Sequence, residues 1–506
     1  MTAADRMHGA DADIGDLAAR ATAWINDRLT HSPVGRVGDR RDLADALAGG
    51  ITDDGVGLDE AWRRFTDVVV PNTIGLDSNR FCAFIPMSPT AASVWMDTVV
   101  SAANFSAESW LEAAGAVAAE AEVIDLLAST AGMPQGASGC FMSGGSIGNL
   151  SALAVARDQA PGRRVVAVAD TAHASVRNAL HLLGMEAVVV PTGVDYRLTA
   201  AALRAAIGDR RDIAAIVASG GSTNGGVIDD LAGCADVAAD VGAWLHVDGA
   251  YGLAAMLLPE LRERFAGIER ADSFIVDPHK WLFSTAGSCA LVYRQPHLAR
   301  EVHTQHGPYI DVLRTDDDAY NPCDLGFQLT RRASGMPLWF ALTLHGLDAF
   351  RSAIRASIHL ATDFAAALDA CPVTSLVLRP ELGVVLFRRD GWAAPEWKRW
   401  AERLLADQVA FVAPTTYRGE PVGRVVSAAT SMAMATPLRE MSCWSFSEKA
   451  GVGGVRPRSR AEKISPSSPA VSAAPLSLRS MAWPSSSSST ASICAAEAVC
   501  SQSALR

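Results

Sequence analysis

Between about residue 110 and residue 295, the sequence alternates short apolar segments with helical segments. The apolar segments are rich in valine and isoleucine and are apolar on both faces. Strands with this pattern are typical of a parallel sheet covered by helices on both sides. They run over 165–169, 187–190, 213–218, 244–247, 274–276 and 290–293. The alternation therefore predicts an α/β fold with a mostly parallel sheet.

The rest of the chain divides into regions of different character. A long helix over 338–360, a strand over 383–388 and a helix over 396–408 indicate a second, smaller α+β unit. The end of the chain is rich in serine and loses core periodicity, so we interpret it as disordered or non-native in origin. The predicted regions are an N-terminal helical segment (1–66), a large domain (67–330), a small C-terminal domain (331–444) and the serine-rich tail (445–506).

Composition excludes several classes of protein. The 506 residues are 49% hydrophobic, which is ample for a large core, and the net charge of −11 argues against nucleic-acid binding. Nine cysteines without a C-x-x-C pair argue against a disulfide framework or a zinc site, and no metal is expected. The sequence shows no signal peptide and no apolar stretch of about 18 residues that would span a membrane. We therefore expect a cytoplasmic protein that acts on small molecules.

Two motifs place a charged side chain directly after an apolar strand. DPHKW, at 277–281, contains Lys280, whose burial would lower its pKa and allow its amine to form a Schiff base with a carbonyl group. The alternative is a surface lysine in a turn. HVDGAYG, at 246–252, contains Asp248, which can pair with a buried cation such as a protonated ring nitrogen. The alternative is an aspartate that caps the next turn or helix.

Three further motifs follow other strands. SGGSIGN, at 143–149, joins a strand to a helix, and its glycines allow the backbone to approach an anion at the helix N-terminus. The alternative is a plain glycine turn with Ser146 as the N-cap. His173 follows the strand at 165–169, where its ring can stack on an aromatic group or simply cap a helix. Thr223 lies at the end of another strand, at 213–218, and it can likewise be either a site residue or a purely structural one.

Taken together, these five motifs predict a binding site for pyridoxal phosphate (PLP). All of them follow strands of one predicted sheet, and ligands bind at the carboxyl ends of such strands. A phosphate cradle, a stacking histidine, a cation-pairing aspartate and a Schiff-base lysine together match the needs of this cofactor.

The chain resembles the PLP-dependent group II amino acid decarboxylases, the family of aromatic-L-amino-acid, glutamate and diaminobutyrate decarboxylases. The resemblance covers roughly residues 60–425. It rests on FMSGGS at 141–146 with NL at 149–150, AH at 172–173, HVDGAY at 246–251, DPHKWL at 277–282, LTRR at 329–332 and LWF at 338–340. It implies a fold-type-I PLP-dependent transferase-like structure and a homodimer with active sites at the subunit interface.

The resemblance also implies a role for each site residue. Lys280 would hold PLP as a Schiff base, with Asp277 and His279 beside it, and Asp248 would bind the pyridine nitrogen. His173 would stack on the ring, and Thr223 would lie near it. The residues implied to hold the phosphate are Gly145, Ser146 and Asn149.

The substrate side is implied by two segments and a loop. FIPM, at 84–87, matches a substrate-side segment and gives Phe84, Pro86 and Met87. Arg424 occupies the position of an arginine that can meet a carboxylate, and the alternative is a surface arginine. The family has a mobile loop whose tyrosine protonates the substrate carbon. That loop corresponds to about 303–328, and Tyr320 is the better candidate than Tyr309.

The reaction that follows from the resemblance is decarboxylation of an L-amino acid to its amine and CO2, through Schiff-base exchange at Lys280. Other fold-type-I PLP reactions remain open, such as transamination, aldehyde formation or carbon–carbon cleavage. After Val426 the sequence departs from the family, which normally continues with a strand, a turn and a final helix. An inactive, truncated relative is therefore a further alternative.

Overall fold

The computed structural model describes residues 12–85, 88–314 and 320–427. The N-terminal segment forms three helices, α1 (Ala12–Thr30), α2 (Arg40–Leu47) and α3 (Leu58–Arg64). The carboxylate of Asp39 caps α2 by accepting the N–H groups of Arg41 and Asp42. From α3 the chain continues through a π-helical turn, Phe65–Val69, and a 3₁₀ turn, Val70–Asn72. The longer helices α4 (Ala91–Ala103) and α5 (Trp110–Thr130) then lead into the main sheet.

The main sheet has seven strands in the order β1-β7-β6-β5-β4-β2-β3. Only β7 runs against the others, because it pairs antiparallel with both β6 and β1. This result confirms the prediction of an α/β fold with a mostly parallel sheet. The strands are β1 (Ser138–Met142), β2 (Val165–Ala169), β3 (Glu186–Val190), β4 (Ile213–Ser219), β5 (Trp244–Asp248), β6 (Ser273–Val276) and β7 (Cys289–Tyr293).

Helices follow most of the parallel strands and cover both faces of the sheet. Alternate residues of one strand enter two different cores: Val165 and Ala167 belong to one cluster, whereas Val166 and Val168 belong to the other. This is the reason why the strands read as apolar on both faces. The connecting helices are α6 (Gly145–Asp158), α7 (Ala174–Leu183), α8 (Ala200–Ile207) and α9 (Leu231–Val241).

The edge strand β3 is an exception to this burial. Glu186, Ala187 and Val189 are exposed, and only Val190 is buried. Its position at the end of the strand order explains the exposure, because β3 has a neighbour on one side only. The sequence interpretation of β3 as a strand covered on both faces was therefore wrong.

A second, antiparallel sheet follows in the order β10-β11-β9-β8. The helix expected over 338–360 is two helices, which break at Gly346, where φ is +73°. Trp397, Trp400 and Phe387 pack edge-to-face in the core of this unit. After α10 (Pro296–His303), its elements are α11 (Met336–His345), α12 (Leu347–Asp369), β8 (Thr374–Leu378), β9 (Val384–Arg389), α13 (Ala394–Ala406), β10 (Thr415–Tyr417) and β11 (Glu420–Val426).

The second sheet is fixed to the main one by hydrogen bonds close to the strand ends. The hydroxyl of Tyr251, just after β5, accepts the N–H of Gly383 at 2.7 Å, and the hydroxyl of Tyr417 donates to the carbonyl of Val194 at 2.7 Å. No helix of the described part is long and apolar enough to cross a membrane. The predicted domain boundaries stay predictions, and the tail over 445–506 lies outside the described residues.

Candidate active site

A cavity of about 330 Å³ lies at the carboxyl ends of β1, β2, β4, β5 and β6. Because these strands are parallel, the segments that follow them meet at one edge of the sheet. The volume falls within the range of pockets that bind small ligands. All nine residues predicted to bind the cofactor line this cavity: Gly145, Ser146, Asn149, His173, Thr223, Asp248, Asp277, His279 and Lys280.

Lys280 faces a buried carboxylate in this cavity. Its Nζ lies 2.8 Å from Oδ2 of Asp277, whose side chain is 2% exposed. Burial lowers the pKa of Lys280, but the charge of Asp277, the hydrogen bond to it and the charge of Asp248 outweigh burial, so the pKa is raised. The expected lowering of the lysine pKa was therefore wrong, because the expectation considered burial without the carboxylate three residues earlier.

The ring of His279 is oriented by the backbone beside Lys280. Its Nδ1 lies 2.6 Å from the carbonyl oxygen of Ser288 and 3.3 Å from the backbone nitrogen of the same residue. Its Nε2 lies 3.6 Å from Oδ2 of Asp277. Burial lowers the pKa of His279, which favours the neutral form.

Asp248 is the last residue of β5, and two N–H donors hold its carboxylate. Nδ2 of Asn149 lies 3.0 Å from Oδ2, and the backbone nitrogen of Ala250 lies 3.2 Å from Oδ1. The residue is buried but lines the cavity. A carboxylate oriented in this way can accept a hydrogen bond from a protonated ring nitrogen.

The side-chain amide of Asn149 is hydrogen-bonded to three other side chains and not to the glycine turn. One N–H of its amide donates to Asp248, the other donates to Oγ of Ser175 at 3.0 Å, and its Oδ1 lies 2.8 Å from Nε2 of His246. A phosphate requires hydrogen-bond donors, and both donors of Asn149 are already used. The structure therefore does not support the prediction that Asn149 binds the phosphate.

The glycine turn ends at the N-terminus of α6. Gly144 is the N-cap residue and the helix begins at Gly145, so the N–H groups of Gly145 and Ser146 precede the first hydrogen bonds of the helix, which Ile147 and Gly148 donate to the carbonyl of Gly144. A Cβ atom on Gly145 would lie 2.9 Å from Oδ2 of Asp277, so only glycine allows the turn to approach this carboxylate. Ser146 also lines the cavity. This arrangement is suited to an anion such as a phosphate.

His173 combines the two interpretations that the sequence left open. It is the N-cap residue of α7, where its Nδ1 accepts the N–H of Ser175 at 3.3 Å, and it also lines the cavity. Nδ1 also lies 2.8 Å from Oγ of Ser175. The ring is thus fixed at the cavity wall, and stacking on a cofactor ring stays a prediction.

The cavity fits PLP in the chemistry of its groups. The N-terminus of α6 offers N–H donors for a phosphate, Asp248 offers a carboxylate for a ring nitrogen, and Lys280 offers an amine for an aldehyde. Among the described residues, no group of three or more histidine, cysteine, aspartate or glutamate side chains is arranged to hold a metal ion.

Tyr320 does not line the cavity. Its hydroxyl donates to the carbonyl of Gly139 in β1, and burial raises its pKa. The structure therefore does not support Tyr320 as the proton donor, because the chain after α10 folds back and buries this ring against the sheet. Tyr309 is 78% exposed and does not line the cavity either.

Phe84 and Arg424, the two predicted substrate residues that the structure describes, do not line the cavity. Phe84 is 59% exposed with a φ of +47°, and its carbonyl accepts Nη2 of Arg424 at 2.8 Å. Arg424 is 4% exposed and also donates to the carbonyls of Thr223, at 2.6 Å, and Asn224, at 3.3 Å. Arg424 is therefore not a surface residue, and burial lowers its pKa to about 10. Pro86 and Met87 lie outside the described residues.

Tyr251 is a cavity residue that the sequence interpretation did not select. It is 2% exposed, lines the cavity and accepts the N–H of Gly383. The available signal was its place three residues after Asp248, at the end of the same strand. Ser175, Ser219 and Ser222 also line the cavity and were not predicted, because serines in turns carry no distinctive pattern.

Comparisons with known proteins agree with this site. Residues 57–390 match the family model described as the pyridoxal-dependent decarboxylase conserved domain. The chain is 31% identical to an aromatic-L-amino-acid decarboxylase of Bacillus atrophaeus, over 74% of this chain and 82% of that protein. It is 33% identical to an L-2,4-diaminobutyrate decarboxylase of Rhizobium meliloti, over 60% of this chain and 63% of that protein.

The fold is also that of a solved decarboxylase. A crystal structure of Oryza sativa TDC with PLP and tryptamine matches with a TM-score of 0.79 and 25% identity, over 89% of this chain and 99% of that chain. This match confirms the fold-type-I architecture and the cofactor. The chain therefore belongs to the family of pyridoxal-dependent decarboxylases, which are carboxy-lyases that use PLP.

Proposed function

We propose that this chain decarboxylates an L-amino acid, with an aromatic amino acid as the preferred class, to the corresponding amine and CO2. The observation that carries the proposal is the convergence of Lys280, Asp248, His173 and the glycine turn on one cavity. The family supports the reaction class, and the similarity to an aromatic-L-amino-acid decarboxylase supports the substrate class.

Each group at the cavity has a proposed task. Lys280 forms the covalent link to the cofactor, and the N-terminus of α6 with Ser146 binds the phosphate. Asp248 holds a proton on the ring nitrogen, and His173 lies against the ring. When bound, PLP supplies an electron sink for the bond between the α-carbon and the carboxylate.

The substrate carbon needs a proton after CO2 leaves. Of the cavity groups, Lys280 has a raised pKa and carries a proton at neutral pH, whereas burial lowers the pKa of His279. Lys280, paired with Asp277, is the proposed proton source within one chain. The loop over 303–328, with Tyr309, is the alternative source if a second subunit brings it to the cavity.

Arg424 is proposed to bind the carboxylate of the substrate. It is a buried cation whose pKa no acidic side chain of the described residues raises, and such a charge is costly unless an anion balances it. Nη2 and Nε donate to backbone carbonyls, so Nη1 is the nitrogen available to a ligand. Arg424 donates to Thr223, which lines the cavity, and this contact places the guanidinium next to the site.

A homodimer is proposed as the active form. Phe84 beside the site is 59% exposed, and Trp110 and Leu111 at the start of α5 are 46% and 65% exposed. The proposal follows the homodimer that the family resemblance implies, and exposed apolar side chains of this size are suited to burial at a subunit interface. Light scattering of the purified chain at several concentrations tests the proposal, which a monomer with full activity would contradict.

The direct test is product analysis with the full chain and PLP. We expect incubation with each of the twenty L-amino acids to yield an amine and an equal amount of CO2 from one or a few aromatic substrates. Lys280→Ala is the matched inactive variant. Formation of a keto acid without CO2 would contradict decarboxylation and indicate transamination.

Oxidative aldehyde formation is the second candidate reaction. The observation that favours it is that Tyr320 does not line the cavity, since its hydroxyl donates to the carbonyl of Gly139. Tyr320 is therefore not available to protonate the substrate carbon. This reaction would consume O2 and water and release the aldehyde, CO2, ammonia and hydrogen peroxide. Measuring O2 consumption beside amine formation separates the two reactions. An inactive relative would show neither and would fail to acquire the colour of bound PLP.

A further inference from the structure

A continuous chain of buried hydrogen bonds runs behind the cavity. It begins at Trp244, passes through Ser273 and His246, and reaches Asn149, where it branches to Asp248 and Ser175. From Ser175 it continues to His173. Nε1 of Trp244 lies 2.9 Å from Oγ of Ser273, which lies 2.8 Å from Nδ1 of His246. Nε2 of His246 lies 2.8 Å from Oδ1 of Asn149, and Nδ2 of Asn149 lies 3.0 Å from both Oδ2 of Asp248 and Oγ of Ser175. Oγ of Ser175 lies 2.8 Å from Nδ1 of His173.

The two ends of this chain determine its direction. The indole nitrogen of Trp244 can only donate, so Ser273 accepts from it and has its own hydroxyl proton available for Nδ1 of His246. At the other end, the carboxylate of Asp248 can only accept, so Nδ2 of Asn149 must face it and Oδ1 must face His246. The end at Asp248 therefore requires a proton on Nε2 of His246, and the end at Trp244 agrees with this state, because Ser273 can donate its hydroxyl proton to Nδ1.

The branch toward His173 has a fixed direction as well. The second N–H of Asn149 donates to Oγ of Ser175, which leaves the hydroxyl proton of Ser175 for Nδ1 of His173. The backbone N–H of Ser175 also donates to this Nδ1. With Nδ1 as an acceptor, the neutral ring of His173 carries its proton on Nε2.

We infer that Asn149 is a positioning residue, which holds Asp248 as a hydrogen-bond acceptor and His173 as an Nε2–H donor. The inference rests on the proposed function only in that both side chains face the cofactor. It gives Asn149 a role different from the phosphate contact that the family resemblance implies. It also assigns functions to Trp244, Ser273 and His246, none of which lines the cavity.

The burial of the chain supports a fixed arrangement. Ser273 and His246 are fully buried, and Asn149 is 1% exposed, so water cannot replace a broken link at low cost. Burial lowers the pKa of His246 to about 4, against the opposing influence of Asp248. His246 is therefore neutral at neutral pH, the condition of the tautomer measurement below.

The first test reads the two histidines directly. ¹⁵N NMR of the full chain labelled with [¹⁵N]histidine, with signals assigned through His173→Gln and His246→Gln, reports which ring nitrogen carries the proton. We expect the proton on Nε2 in both residues at neutral pH. A proton on Nδ1 of either residue would overturn the inference. Because this measurement needs no bound cofactor, it holds even if the proposed function fails.

The second test breaks the chain far from the cofactor. Asn149→Ala removes the branch point, and Ser273→Ala removes a link that is buried behind it, in case the first variant does not fold. The matched control is Ser357→Ala, which removes the buried hydrogen bond from Ser357 in α12 to the carbonyl of Ser427, just after β11. The readout is the pH titration of the visible absorption of bound PLP.

We expect Ser273→Ala to shift this titration by roughly half a pH unit or more, since the lost hydrogen bond changes the environment of Asp248. Ser357→Ala should leave the titration unchanged, although it should lower the thermal stability by about as much as Ser273→Ala does. Equal titrations in both variants would overturn the inference and leave the chain a purely structural feature. If no variant and no wild-type protein binds PLP, the proposed function fails and the NMR result alone decides the inference.

Discussion

Nζ of Lys280 lies 2.8 Å from Oδ2 of Asp277, and the two residues are separated by one turn of chain after β6. The carboxylate is almost fully buried, so this contact is not weakened by solvent as a surface ion pair would be. It raises the pKa of Lys280 above its ordinary value although burial alone would lower it. Attachment of the cofactor requires the neutral amine, so the pair sets the pH at which Lys280 can react.

Asp277→Asn should accelerate the attachment of PLP to Lys280 at neutral pH. Removing the carboxylate lowers the pKa of Lys280, so the rate should rise at lower pH, with its profile shifted down by about one pH unit or more. The measurement is the rate of appearance of the visible absorption after PLP is added, from pH 6 to about 10. Asp236→Asn, which removes a surface partner of Arg270, is the control and should leave the profile unchanged. An upward shift would contradict the assignment.

Reduction with borohydride should attach the pyridoxyl group to Lys280. The chain offers a sharp test because Lys280 is its first lysine, and only Lys398, Lys449 and Lys463 follow it. Mass spectrometry of the digested protein should find the label on the peptide that contains Lys280. Lys398→Arg should label as well as the unchanged chain, since Lys398 is 77% exposed and pairs with Glu402. A label on any other lysine would remove Lys280 from the mechanism.

Asp248→Asn should keep the fold but lose most of the activity. The amide is similar in size and can still receive the N–H of Ala250, but it cannot balance a positive charge on the ring nitrogen. We expect kcat to fall roughly a hundredfold or more, as for the loss of one preorganised electrostatic group. Steady-state kinetics with circular dichroism as the folding control measures this. Activity within threefold of the unchanged chain would show that Asp248 does not bind the ring.

The sequence predicted those parts of the site that depend on strand ends. Lys280, Asp248, His173 and Thr223 each follow a parallel strand, and parallel strands bring their carboxyl ends to one edge whatever the details of packing. The short apolar segments were sufficient to identify these strands. For that reason the predicted residues meet in one cavity although they are up to 107 positions apart, as from His173 to Lys280.

The parts that were missed depend on contacts between distant segments. The partners of Asn149 come from α7 and β5, and nothing in the local sequence indicates that both of its N–H groups are used. Tyr320 is buried against β1 because the chain after α10 folds back, which no local periodicity reveals. The strands β8, β10 and β11 are short or partly exposed, so their alternation is too weak to identify them.

Tyr320→Phe should lower stability without changing the product. The hydroxyl donates to the carbonyl of Gly139, and a buried carbonyl that loses its donor costs about 1 kcal/mol of the free energy of unfolding. The ratio of amine to aldehyde should stay the same, because the ring does not reach the cavity. Urea unfolding and product analysis together provide the measurement. A shift from amine to aldehyde would show that Tyr320 reaches an active site after all.

Arg424→Lys should weaken substrate binding more than it slows the reaction. Lysine keeps the positive charge but lacks the planar fork that lets Arg424 contact the carbonyls of Phe84 and Thr223 and still present Nη1 to a ligand. If Nη1 binds the carboxylate, KM should rise about tenfold or more, since a charged hydrogen bond contributes roughly 1.5–3 kcal/mol. Arg379→Lys, at a side chain that is 87% exposed, is the matched control. An unchanged KM with reduced thermal stability would show that Arg424 only joins β11 to the loop at Thr223 and Asn224. The substrate carboxylate would then need another partner.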